Sequence, residues 1–190
     1  MYKSIDCNSL RELKDLSRLL ETDLVLLIGI ILLANEGLGR VAISKRVLTG
    51  ERVVRRVIDY LFKDKGRKYM NNLYSFNVRE LPVDWLKCEP VLYIGFEQEI
   101  IEMVKYNIVA FRDYIVINSR DPRKIEVIGV IQGGALIFPG VPLDISGPYN
   151  ELSRFVKPGD NGIIICWNKY NKALDNAILL TSIISLCSSN

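Results

Sequence analysis

The chain contains no histidine. That absence excludes Ser-His-Asp and Cys-His catalytic sets and the usual zinc-hydrolase and transition-metal sites, which rely on imidazole. Any catalysis would have to run on carboxylates, Lys, Arg, Tyr or a bound cofactor. Cysteine is sparse: Cys7, Cys88, Cys166 and Cys187 stand far apart with no Cys-x-x-Cys spacing. This excludes a tetrahedral zinc knuckle and a dithiol redox motif, and it predicts isolated buried thiols. Long apolar stretches are missing too. The longest uninterrupted run covers residues 24–34, well short of the ~20 residues a bilayer crossing needs, so it predicts a buried core helix and no membrane partner. The start, Met1-Tyr2-Lys3-Ser4-Ile5-Asp6, has no apolar stretch behind a basic residue and no small-residue cleavage site. A cytoplasmic location is the expectation.

What is present is an ordinary globular composition with an uneven distribution of charge. Of 190 residues, 49% are hydrophobic and 25% charged, which excludes a disordered chain. Residues 40–68 hold ten Lys or Arg against three Asp or Glu. This net +7 exceeds the whole-chain total of +3, so the remainder carries −4. Such a patch on a near-neutral protein points to a polyanion, and to double-stranded DNA first, because Lys and Arg on a phosphate backbone release condensed counterions.

The periodicity of the first half is helical. Asn8-Ser9 precedes Leu10, Leu13, Leu16 and Leu19-Leu20, with charged residues between them. Thr22 or Asp23 caps a second, nearly all-apolar helix to about residue 34, which Asn35-Glu36-Gly37 ends. A third helix covers 41–48, Thr49-Gly50 turns, and a fourth runs over 51–62 with Val54, Val57, Ile58 and Leu61 as its core stripe. Residues 67–70 and 73–78, alternating about Asn71-Asn72, predict a two-stranded hairpin after a turn at 63–66. Helices, a turn and then a hairpin is the winged-helix order. The pattern breaks over 81–90, so the expected domains are 1–82 and 90–190.

The second half predicts strand 91–94, helix 97–111, strands 114–118, 125–131 and 135–138, a Pro/Gly-rich loop, strand 163–167 and helix 173–186. The fold class is therefore α+β or α/β, a winged helix followed by a small mixed-sheet sandwich. Gly129, Gly133 and Gly134 invite a phosphate-loop reading. The next residues, however, are the strand-like Ala-Leu-Ile-Phe-Pro rather than a helix N-terminus, so a turn is expected. Pro158-Gly159-Asp160-Asn161-Gly162 is a turn as well. The apolar last helix should pack on the sheet, with a dimer contact as its second use.

Ser44-Lys45-Arg46, Thr49-Gly50 and Arg52, Arg55 and Arg56 together resemble the helix-turn-helix of archaeal winged-helix regulators. With Phe111-Arg112-Asp113, Gly133-Gly134-Ala135-Leu136-Ile137-Phe138-Pro139-Gly140 and Gly162-Ile163-Ile164-Ile165, the chain resembles a family of archaeal proteins joining such a head to a C-terminal domain without assigned chemistry. The resemblance implies a recognition helix at 50–62. Arg52, Arg55 and Arg56 would then face the groove, and Lys45, Arg46, Arg67 and Lys68 would lie on phosphates, with Lys63 beside them. The bland alternative makes Glu51–Arg55 and Arg55–Asp59 ion pairs on a solvated helix face. Arg112 and Asp113 could anchor an anionic small-molecule effector. No metal, cofactor or catalytic motif is expected. The whole reads as a homodimeric transcriptional regulator; the rival is a small-molecule-binding or transferase-like α/β protein that uses the winged helix for protein docking.

Overall fold

The computed structural model describes residues 4–63 and 66–189, without the side chains of 143 and 144. The tripeptide at the start and the middle of the expected 63–66 turn lie outside them. The chain divides into two compact units, and both are discontinuous. One comprises 7–74 and 171–189; the other comprises 4–6 and 75–170.

The first unit is all helical: α1 (Cys7–Leu19), α2 (Leu24–Asn35), α3 (Arg40–Arg46), α4 (Glu51–Leu61), α5 (Arg67–Asn72) and α9 (Lys172–Ser189). Cys7, Leu10, Leu13 and Leu16 recur every third residue and form the buried face of α1. Asp23 caps α2 by accepting from the Leu26 N–H at 3.0 Å. Thirteen of the 18 residues of α9 are buried, because it runs through the unit against α1 and α2 rather than over its surface. The crossing is close. A methyl group added at Gly29 of α2 would lie 3.6 Å from the Ala173 carbonyl oxygen and 3.8 Å from the Ala177 Cβ. Asn171 caps α9: its side-chain oxygen accepts from Leu174 N at 3.4 Å, while its own N–H donates to the buried Asp175 carboxylate at 2.6 Å. Arg11 closes the other end, donating from Nε to the Cys187 carbonyl at 2.9 Å.

The second unit is a five-stranded sheet in the order β1-β2-β5-β3-β4, antiparallel throughout: β1 (Asn77–Glu80), β2 (Glu89–Ile94), β3 (Ile125–Gln132), β4 (Ala135–Ile137) and β5 (Gly162–Trp167). Central β5 is buried along its whole length, as a strand covered on both faces must be. Helices α6 (Gln98–Tyr106) and α7 (Ile108–Ser119) pack against β3. Leu92, Ile164, Cys166, Val127 and Ile131 pack instead with Leu81, Tyr149 and Leu152, which come from the β1–β2 connection and from α8 (Leu143–Asn150) with its following 3-10 turn. Ile5 joins the sheet edge, donating to the Gly95 carbonyl at 2.7 Å and accepting from Glu97 N at 2.9 Å.

Several expectations are corrected. Residues 67–72 form a helix rather than the first strand of a hairpin. Asn35 Nδ2 holds the Met70 carbonyl at 3.1 Å and draws the segment onto the helices. The expected second strand is displaced to 77–80, where it pairs with β2 within the sheet unit and not with residues 67–70. Residues 114–118 are helical, because Phe111 and Ile115 bury one face of α7. Part of the expected Pro/Gly loop is α8, which carries Pro148 near its end. The last helix, expected on the sheet, packs on α1 and α2 of the helical unit. The single cut between 82 and 90 gives way to a head that includes α9. The cysteines are not isolated thiols: Cys7 is bonded to Cys187, 180 residues away, and Cys88 to Cys166, 78 away. No spacing rule reveals such pairs, because only the fold brings them to Cα separations of 5.6 and 5.4 Å. No helix among the described residues is long and apolar enough to cross a membrane.

Candidate nucleic-acid interface

α3 and α4 are joined by a four-residue turn whose conformation the local residues fix. Leu48 takes a left-handed φ of 53°, Thr49 N–H donates to the Ser44 carbonyl at 3.1 Å, and the Ser44 hydroxyl returns a bond to the Thr49 carbonyl. Gly50 then opens α4. The buried stripe Val54, Val57, Ile58 and Leu61 leaves Glu51, Arg52, Arg55, Arg56 and Asp59 outward. All eight cations named from the sequence (Lys45, Arg46, Arg52, Arg55, Arg56, Lys63, Arg67 and Lys68) are exposed.

Their partners separate them. Arg52 and Arg55 have no ion-pair or hydrogen-bond partner for their side chains among the described residues, and they line a shallow groove with Arg40, Val41 and Glu51. The Glu51–Arg55 and Arg55–Asp59 pairs of the bland alternative are not formed; Asp59 lies 4.0 Å from Arg40 instead. Arg56 turns toward the α1–α2 connection, donating to Thr22 Oγ1 at 3.1 Å and the Glu21 carbonyl at 3.3 Å. Lys68 pairs with Glu12 at 3.0 Å and lies 4.7 Å over the Tyr69 ring; its pKa is raised, chiefly by the hydrogen bond to Glu12. Lys45 and Arg46, at the end of α3, line a second depression with Leu48, Asn171 and Lys172. Arg40 and Lys172 are the residues that sequence reasoning left out. Arg40 was legible in the charge count, whereas Lys172 arrives only because α9 joins this unit.

The expected effector pair is split. Arg112 lines a cleft of about 150 Å³ with Ile108, Val109, Ile125, Glu126 and Val141, and Asp113 does not. The ladder between β3 and β5 is irregular between Ile125 and Val127, which leaves Glu126 exposed beside the cleft. Tyr149 donates to Glu126 Oε1 at 2.6 Å. Burial of the phenol, followed by the bond to that carboxylate, pushes its pKa up to about 12.

No family model and no curated protein matches the chain. Among solved structures it is similar to hypothetical protein PH0730 from Pyrococcus horikoshii OT3, at 22% identity and a TM-score of 0.48, with 86% of this chain and 98% of that one covered.

Proposed function

We propose that the helical unit binds double-stranded DNA, with α4 presented to the major groove, and that the protein acts in transcriptional regulation. The observation that carries the reading is the pair Arg52 and Arg55: exposed, three residues apart on one helix face, and without side-chain partners among the described residues. Cations neutralised within a fold have no need of a phosphate or a guanine edge; these two remain available for one. Lys45, Arg46, Lys63 and Arg67 supply backbone contacts around them, whereas Arg56 and Lys68 serve the fold. With residues 67–72 helical and no hairpin after α4 among the described residues of the helical unit, contact rests on the helix-turn-helix alone rather than on a wing in the minor groove.

A cytoplasmic setting is retained with a condition attached. Disulfides persist in oxidising compartments and in the intracellular proteins of hyperthermophiles, and only the second setting suits a DNA-binding regulator carrying two of them. The apolar cleft at Arg112 favours an added role for the sheet unit in binding a small anionic effector. No catalysis is ascribed to either unit.

The test is a duplex titration at several salt concentrations with the full chain. Arg52→Ala with Arg55→Ala should weaken binding at least about tenfold and lower the log-log salt slope by up to ~1.8, ~0.9 for each phosphate no longer neutralised. Arg56→Ala should leave the slope nearly unchanged. Equal affinity and slope for the double variant and the parent would remove α4 from the interface.

A further inference from the structure

Helix α7 is apolar on both sides. Phe111 and Ile115 are buried on its inner face, while on its outer face Val109 and Ile117 are 70% and 66% exposed. At 3.6 residues per turn, Val109, Asp113, Val116 and Ile117 fall on one outward stripe, Val109 and Val116 differing by only ~20° about the axis, and Arg120 follows as the left-handed C-cap at the end of that helix. Single exposed hydrophobic residues are unremarkable, but a contiguous stripe on a helix already packed on its other side calls for a partner.

The charges on the stripe indicate which partner. Asp113 and Arg120 are both exposed, and neither has an ion-pair or hydrogen-bond partner among the described residues. They flank Val116 and Ile117 evenly: Val116 lies three positions after Asp113, and Arg120 three positions after Ile117. A two-fold axis between 116 and 117 therefore superposes the segment 113–120 on itself and leaves Val109 outside the contact. It sets Val116 against Ile117 of a second copy at the centre and Asp113 against its Arg120 on either side. An isologous contact requires this kind of self-complementarity, in which residue i meets j and j meets i.

We propose that α7 is the surface on which a second copy of this chain docks, antiparallel, with two reciprocal Asp113–Arg120 ion pairs about a Val116–Ile117 centre. The dimer is reversible and concentration-dependent, because one helix pair buries an area at the low end of specific interfaces. The apolar last helix, buried in its own unit, is not available for this contact. The proposal goes beyond the DNA reading and does not depend on it.

Sedimentation velocity of the full chain over a range of concentrations, without nucleic acid, tests it. The wild type should show a monomer–dimer equilibrium. Asp113→Arg and Arg120→Asp should each raise the dissociation constant at least about tenfold, since each sets like charges opposite one another. Aspartate is tolerated at the left-handed φ of 55° at position 120, and circular dichroism checks that both variants fold. The decisive arm is mixing. An equimolar mixture of the two variants restores both ion pairs and should return the dimer, as should the double reversal in one chain. Ile117→Glu should remove the dimer, and mixing should not bring it back. A wild type that stays monomeric at every concentration, single reversals that leave association unchanged, or a mixture that stays dissociated would each overturn the proposal.

Discussion

Tyr149 loses its proton only with difficulty, because ionisation would place a phenolate in a buried site against the Glu126 carboxylate 2.6 Å away. Its pKa lies near 12 in the fold against 10.0 for an unperturbed tyrosine. The fold binds this proton more tightly than the unfolded chain does, so the stabilisation is complete below pH 10 and is lost as pH rises from 10 toward 12. Tyr149→Phe should therefore be less stable than the parent at neutral pH, and the gap between the two urea midpoints should close across that window. A gap that stays constant from about pH 9 to 12 would show that the hydroxyl contributes no pH-dependent stability. At the same scale, Arg52 and Arg56 illustrate how little residue type alone says about role. They sit four positions apart on α4, yet one points into an open groove and the other is spent on the Thr22 hydroxyl.

Among the elements, α9 and the disulfide Cys7–Cys187 act together, the bond fixing the end of α9 to the start of α1. Closing a loop of 180 residues removes on the order of 5 kcal/mol of chain entropy from the unfolded state in the simple chain model, and the 78-residue loop of Cys88–Cys166 nearly as much. Unfolded without reductant, the protein should show no thiol to a colorimetric reagent; after reduction it should show four and melt at a lower temperature. Thiols titrating before reduction would restore the reading of isolated cysteines.

Where an element's periodicity is strong and its partners are local, it was legible in the sequence. α2 and α4 stand within a residue or two of their expected bounds, as do β2, β3 and β5, whereas α1 begins at Cys7 and takes in the Asn8-Ser9 pair expected ahead of it. Where two propensities compete, the sequence misled. Tyr114-Ile115-Val116-Ile117 is a β-branched and aromatic run that favours a strand, but burial of Phe111 and Ile115 four residues apart outweighs that small preference. Residues 73–78 alternate as a strand should, yet the strand that finds an edge to pair with is 77–80. Of the candidate site, the basic character and the stripe of α4 could be read in advance. The loss of Arg56 and Lys68 to internal partners could not, because Thr22 and Glu12 are distant in sequence.

For the whole molecule, the discontinuous helical unit changes what a truncation should do. Residues 1–82 contain the buried Leu13, Leu16, Leu27, Ile30 and Ile31, but they lack α9, against which α1 and α2 pack. That fragment should fail to melt cooperatively, despite carrying α4 complete. Residues 7–74 joined through a flexible Gly/Ser linker to 171–189 should regain a cooperative transition and duplex binding. A cooperative melt of 1–82 equal to that of the linked version would show α9 to be dispensable.

The same discontinuity imposes a timetable on synthesis. The sheet unit is made after α5 and before α9, so roughly 100 residues must be translated, at ~5–20 residues per second, before α9 can reach α1 and α2. For some ~5–20 s the nascent helices expose the apolar faces of Leu27, Ile30 and Ile31, and Cys7 waits with an unpaired sulfur. The sheet unit, including Cys88 and Cys166, is already complete by then. The helical unit, begun before the sheet unit, is therefore the one that finishes folding last, and the interval before α9 is made is when a chaperone would be needed most.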